Sequence, residues 1–143
     1  WITSMLSVAF LERAVIQYAR RWIVPRIGVF FSGLNIVELV CFMMLSLVTL
    51  NFDFVLIHAA YVIAVVVGGF TGFIYMVERS VGSKQILLGV LACAIGAFFF
   101  VFEIGLHKWF NQVDISHVFM MIASVFYYKG SRRLIEGGGT IHH

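Results

Sequence analysis

Charge is scarce in this chain. Only 12% of its 143 residues are Asp, Glu, Lys or Arg, about half the share usual in soluble domains. Too few charged side chains are present to cover a water-facing surface around a core of this size. Proline occurs once, at Pro25, and no polar low-complexity stretch is present, which excludes a disordered chain. The two cysteines, Cys41 and Cys93, lie inside separate apolar runs, and neither has a partner at metal-ligand spacing. They read as small hydrophobic side chains, not as a disulfide. No nucleophile elbow, phosphate loop or paired-cysteine motif occurs. The formal net charge of +3 is modest and sits in short segments, so nucleic acid is not an expected partner.

What is present is hydrocarbon. The chain is 62% hydrophobic with a mean hydropathy of +1.00. Five apolar segments stand out: Ile2 to Tyr18, Ile27 to Leu50, Phe54 to Val77, Ile86 to Leu106, and Ile115 to Tyr128. They are too long and too even for strands, and a bilayer core takes about 20 residues of helix. The expectation is an all-α, polytopic membrane helix bundle of about five transmembrane helices over residues 1–136, with a flexible tail at 137–143. His142 and His143 lie in that tail and are set aside as a terminal scar.

The loops give an orientation. Arg20, Arg21 and Arg26 follow the first segment, Arg79 and Lys84 the third, and Lys129, Arg132 and Arg133 the fifth. With five spans these basic patches fall on one side, which the positive-inside rule makes cytoplasmic. Asn51, Asp53, Lys108, Asn111 and Asp114 fall on the other, with Trp1. An odd number of spans entering from the lumen leads to the expectation of a further helix upstream. Trp22, Trp109, Tyr127 and Tyr128 stand where interfacial aromatic belts belong. Gly68, Gly69 and Gly72 in the third segment, with Gly89, Ala92 and Gly96 in the fourth, are small enough for close helix approach.

Ionisable groups inside a span need a reason. Glu38 lies about 16 Å into the second segment, near mid-depth, with Asn35 one turn before it. Glu12 and Arg13 lie at a comparable depth in the first segment. Three readings stand: an Arg13–Glu38 ion pair tying two helices together, a site for a polar lipid head or a proton, or an interfacial first segment with Arg13 in water. A second group gathers at the luminal ends. It comprises His58, the i,i+4 pair Glu103 and His107, and the i,i+3 pair Asp114 and His117. Histidine and carboxylate ligands suit zinc, and an open zinc site activates water. The same residue types also serve a lipid-headgroup pocket without metal, or plain helix capping.

Gly33-Leu34-Asn35-Ile36-Val37-Glu38, followed by Asp53-Phe54 and Ile57-His58, resembles the FRAG/DRAM/SFK membrane family, and within it the post-GPI-attachment lipid-remodelling proteins. Trp1, Arg13, Tyr18 and Lys84-Gln85 fall in the same order. The resemblance implies six spans, the first upstream of Trp1. It also implies a role in lipid handling, in the form of GPI-anchor lipid remodelling at the Golgi or ER, without catalysis or a cofactor of its own. The plasma membrane is the alternative location. The fifth segment departs from that family, lacking its buried glutamate and longer apolar run. His107, Phe110-Asn111, Asp114 and His117, followed by Tyr128-Lys129-Gly130, resemble instead the last helix of CREST-type membrane hydrolases. That likeness implies a zinc-dependent lipid amidase or esterase, with an earlier helix supplying the rest of the ligand set. The short loops fit a third class equally, a small structural subunit bound to partner proteins of a larger membrane complex.

Overall fold

The computed structural model describes the backbone of residues 1–138 and the side chains of 1–136. The fold is all-α. Five helices follow in order: α1 (Ile2–Ala19), α2 (Pro25–Thr49), α3 (Asp53–Glu78), α4 (Val81–Val101) and α5 (Gln112–Gly138). Among the described residues the only β feature is an isolated bridge between His107 and Phe110. α2, α3 and α4 are each long and apolar enough to cross a membrane. α1 carries Glu12, Arg13 and Gln17, and α5 carries Asp114, His117 and Lys129, and neither reaches that apolarity. Because α5 runs through Gly138, all but the first two positions of the tail expected at 137–143 lie outside the described residues.

The chain divides into two compact units, Trp1–Phe73 and the part from Ile74 onward. In the first, α1 and α2 run antiparallel. Ser46 meets Met5, Asn35 meets Ala9 and Glu12, and Ser32 meets Arg13. Pro25 opens α2, where a missing N–H costs nothing. α1 turns Met5, Ala9, Glu12, Ile16 and Ala19 inward, at the alternating steps of four and three that keep one helical face. α2 is built the other way round from a soluble helix. Its buried residues are Gly28, Asn35, Glu38 and Ser46, while Val29, Phe30, Val37, Val40, Leu45 and Val48 are exposed. Polar interior and apolar exterior are what a lipid solvent selects. α3 contains a π-helical turn at Val62–Val67, which carries one residue more than a regular helix.

The second unit is a helical hairpin. Gly82, Gly89 and Gly96 of α4 recur every seven residues, and so do Ser116, Ala123 and Gly130 of α5. The two rows face each other. A methyl group at Gly82 would lie 2.9 Å from the Gly130 oxygen, one at Gly89 3.2 Å from the Ala123 oxygen, and one at Gly96 3.2 Å from the Ser116 oxygen. Glycine is therefore required there by backbone contact. Gly69 and Gly72 of α3 meet no other described part of the first unit at the same position.

Both ends of the hairpin are capped. Ser80 accepts the Ser83 N–H at 3.2 Å at the start of α4. α4 ends at Val101, five residues before the expected boundary, in a turn where Glu103 adopts φ 53°. The Ile104 N–H reaches the Phe99 oxygen at 3.0 Å and the Glu103 N–H the Phe100 oxygen at 3.3 Å. This is the paired bonding of a Schellman end, with glutamate at the position glycine usually takes.

Candidate functional site

The polar interior of the first unit lies at mid-helix, where α1, α2 and α3 each contribute one acid or hydroxyl. Glu12 is fully buried, Asn35 and Glu38 are buried, and Tyr61 is half-buried. Asn35 Nδ2 donates to Glu12 Oε2 at 2.7 Å and to the Ala9 oxygen at 3.2 Å. The Glu38 carboxyl faces the Glu12 carboxyl and the Tyr61 hydroxyl. Two carboxylates buried side by side repel when both are ionised, which favours a single proton held between them. Glu12 Oε1 and Glu38 Oε1 are buried without a partner among the described residues.

The Arg13–Glu38 ion pair is thus replaced by a Glu12–Glu38 pair. The reason is rotation: neighbouring helical positions are turned by about 100°, and the inward stripe of α1 passes through 12, not 13. Arg13 is half-buried and directs its guanidinium at the Ser32 oxygen at 3.4 Å. Glu38 is buried against its neighbours as expected, with Glu12 between it and Asn35. Tyr61 was not among the expected residues. Its signal is its place three residues after His58, on the same face of α3.

His58 lies in the first unit. It is fully buried beside Phe42, with ring centroids 5.5 Å apart, and neither ring nitrogen has a hydrogen-bond partner among the described residues. Glu103, His107, Asp114 and His117 lie in the second unit and are all exposed. Glu103 and His107 do not share a helical face, because α4 ends before them. His107 sits in a tight turn, its Nδ1 accepting the Trp109 N–H at 3.3 Å. Asp114 forms a capping box with Asn111: Asp114 Oδ2 accepts the Asn111 N–H at 3.0 Å, and Asn111 Oδ1 accepts the Val113 N–H at 2.8 Å. His117 Nδ1 pairs with the Val113 oxygen at 2.7 Å. Local capping engages these groups. Among the described residues, no three His, Cys, Asp or Glu side chains are placed to hold a metal ion. Cys41 and Cys93 are free, and Cys93 accepts from the Tyr127 hydroxyl at 3.5 Å across the hairpin.

Residues 1–136 match the model of a family described as a family of unknown function, DUF6962. No curated protein and no solved structure matches the chain.

Proposed function

The chain belongs to DUF6962, and we propose that it is a five-span membrane protein of lipid handling, without catalysis of its own. The polar part of its lipid is held among Glu12, Asn35, Glu38 and Tyr61. One observation carries this reading: two buried carboxyls meet at mid-helix, and each keeps an oxygen that no group among the described residues satisfies. Buried ionisable groups in apolar helices are costly and mark functional sites. The likeness of the Gly33–Glu38 segment to lipid-remodelling proteins directs the reading to GPI-anchor lipid remodelling in the Golgi or ER.

Five spans are supported by how the less apolar helices are partnered. α5 follows α4 from Gly82 beside Gly130 to Gly96 beside Ser116. α1 follows α2 from Ser46 beside Met5 to Ser32 beside Arg13. A helix packed along a spanning helix is suited to cross with it, which favours the five-span reading. Their outer faces agree: Ile2, Leu6 and Phe10 of α1 and Met121, Ile122 and Val125 of α5 are exposed.

Two measurements test the proposal. Mass spectrometry of protein released from mild detergent should find a retained lipid that Glu38→Gln loses. Cysteines placed at Trp1 and Arg21, and at Trp109 and Arg133, should label from opposite sides of the membrane within each pair. Same-side labelling removes the corresponding span. Stoichiometric zinc, with a lipid amidase or esterase activity abolished by His117→Ala, would replace this reading with the metal-dependent hydrolase. A partner protein retained through purification without any lipid would replace it with the structural subunit.

A further inference from the structure

In the acid layer of the first unit, acceptors outnumber donors. Glu12 and Glu38 bring four carboxyl oxygens. Against them stand one Asn35 amide hydrogen at 2.7 Å, the Tyr61 hydroxyl and the single proton the two acids share. Glu12 Oε1 and Glu38 Oε1 are left buried and unpartnered. The neighbouring cation does not fill the gap, since Arg13 is turned to the Ser32 oxygen. The titratable and charged groups on the three packed helices at this level are Glu12 and Arg13 on α1, Glu38 on α2, and His58 and Tyr61 on α3. His58 packs one layer away against Phe42.

That imbalance selects the occupant. A phosphate, sulfate or carboxylate would bring more acceptors and more negative charge to a site that already has both in excess. A hydroxyl brings one donor and two lone pairs, and a quaternary ammonium brings charge without a donor. A primary ammonium brings three donors, no acceptor and one positive charge. The rest of the molecule is hydrocarbon, because the outer faces of α2 and α3 near this level present Val37, Val40, Ile57 and Val65, all exposed. Entry lies beside Tyr61 and Glu38, since Tyr61 is half-buried and Glu38 keeps 7% exposure, while Glu12 has none.

We propose that the Glu12–Glu38 pair takes the primary ammonium group of an amphiphilic amine in exchange for the proton the two carboxyls share. The claim rests on the lipid-handling reading and narrows it to a headgroup class. The exchange balances. The pair with one proton carries a single negative charge. On binding, that O–H bond breaks and the proton leaves to solvent. The two carboxylates and the ammonium together again carry a single negative charge. Burial of net charge is therefore unchanged by binding, which is what permits a cation to enter an apolar interior.

The experiment uses the full chain in non-ionic detergent at pH 7, where a simple amine is protonated. The probes are n-dodecylamine, n-dodecanol, dodecyltrimethylammonium and n-butylamine. Calorimetry should show dodecylamine binding at least tenfold more tightly than each of the other three. In two buffers of different ionisation enthalpy it should show one proton released per amine bound. Glu38→Gln and Glu12→Gln should each weaken dodecylamine at least tenfold. The headgroup ranking and the proton count need no variant, so the proposal is decided even if both substitutions prevent folding. Equal binding of dodecanol, of the trimethylammonium probe or of butylamine overturns the assignment, as does the absence of proton release. A retained lipid with a neutral or anionic headgroup that depends on Glu38 also overturns the amine assignment, while leaving the lipid-handling reading in place. Absence of any retained lipid removes that reading instead.

Discussion

Gly130→Ala tests whether backbone contact holds the α4–α5 hairpin together. The added methyl carbon would lie 2.6 Å from Ile86 Cγ1, 2.8 Å from the Gly82 oxygen and 3.0 Å from the Ile86 nitrogen. The Ile86 side chain has a free end and can move, but the two backbone atoms cannot move without α4. Ordinary contact begins at 3.4 Å, so the gap of 2.8 Å to the Gly82 oxygen must widen by about half an ångström, which is overpacking of the kind that costs roughly 1–3 kcal/mol. Removing a helical glycine returns about 1 kcal/mol of propensity. Separating the helices at Gly130 also loosens the contacts at Gly89 and Gly96, which adds to the cost. The net expectation is a loss of about 1–2 kcal/mol. Gly69→Ala is the internal control. It has nothing within 4 Å, so only the propensity term acts, and it should be neutral or stabilising by up to about 1 kcal/mol. Unfolding in mixed micelles of increasing SDS fraction, followed by far-UV circular dichroism, reads both. A Gly130→Ala protein as stable as the native one, or a Gly69→Ala protein destabilised equally, would refute the contact argument.

Three further outcomes follow from named contacts. Glu12→Leu leaves one Asn35 amide hydrogen without its acceptor, the other still reaching the Ala9 oxygen, and should cost about 1–3 kcal/mol. Arg13→Leu should cost clearly less, since Arg13 is half-buried with one long bond at 3.4 Å; the reverse order in the same SDS titration would restore the Arg13–Glu38 pair. Glu103→Gly relieves a left-handed residue at φ 53° and should stabilise by about 1 kcal/mol, and a marked loss of stability would show that its carboxylate has a structural partner. Asn111→Ala removes an acceptor that holds the Val113 N–H at 2.8 Å. It should cost about 1 kcal/mol and raise amide hydrogen exchange over the first turn of α5 alone; unchanged exchange there would dismiss the cap.

Much of the helical architecture is legible in the sequence, because long apolar runs leave few alternatives. The boundaries of α1, α2 and α3 fall within two residues of those runs. α4 is misplaced because its terminator is not glycine. The Glu103 turn carries no compositional mark, so the apolar run reads on to Leu106. Helix rotation is the harder quantity. Depth alone makes Glu12 and Arg13 equivalent, and only the stripe 5, 9, 12, 16, 19 tells them apart. That stripe is faint in a helix whose other faces are also apolar. The candidate residues at the turn after α4 are chemically well chosen for a metal, yet the motif Asn111-x-x-Asp114 is equally a capping box, and the structure uses it as one. The seven-residue glycine row was half visible. Gly89 and Gly96 were expected to pack closely; Gly82 and the opposing Ser116, Ala123 and Gly130 complete it only once the helices are paired.

The π turn at Val62–Val67 sets the phase of α3. Up to and into it the inward positions are Val55, His58, Val62 and Val66; from its last residue, Val67, they restart and continue to Thr71. One surplus residue is absorbed there, so the helix keeps both rows indexed to the same interior, as a vernier aligns two scales of unequal pitch. Deleting one residue from this run of Val, Ile and Ala would restore a regular helix. With the lower row pinned, His58 and Tyr61 would swing by about 100°. Tyr61 would leave Glu38 and His58 would leave its place beside Phe42. The register of the acid layer is therefore held by a stretch with no polar side chain, and a shortened valine run would dismantle that layer more completely than a conservative exchange of either carboxyl.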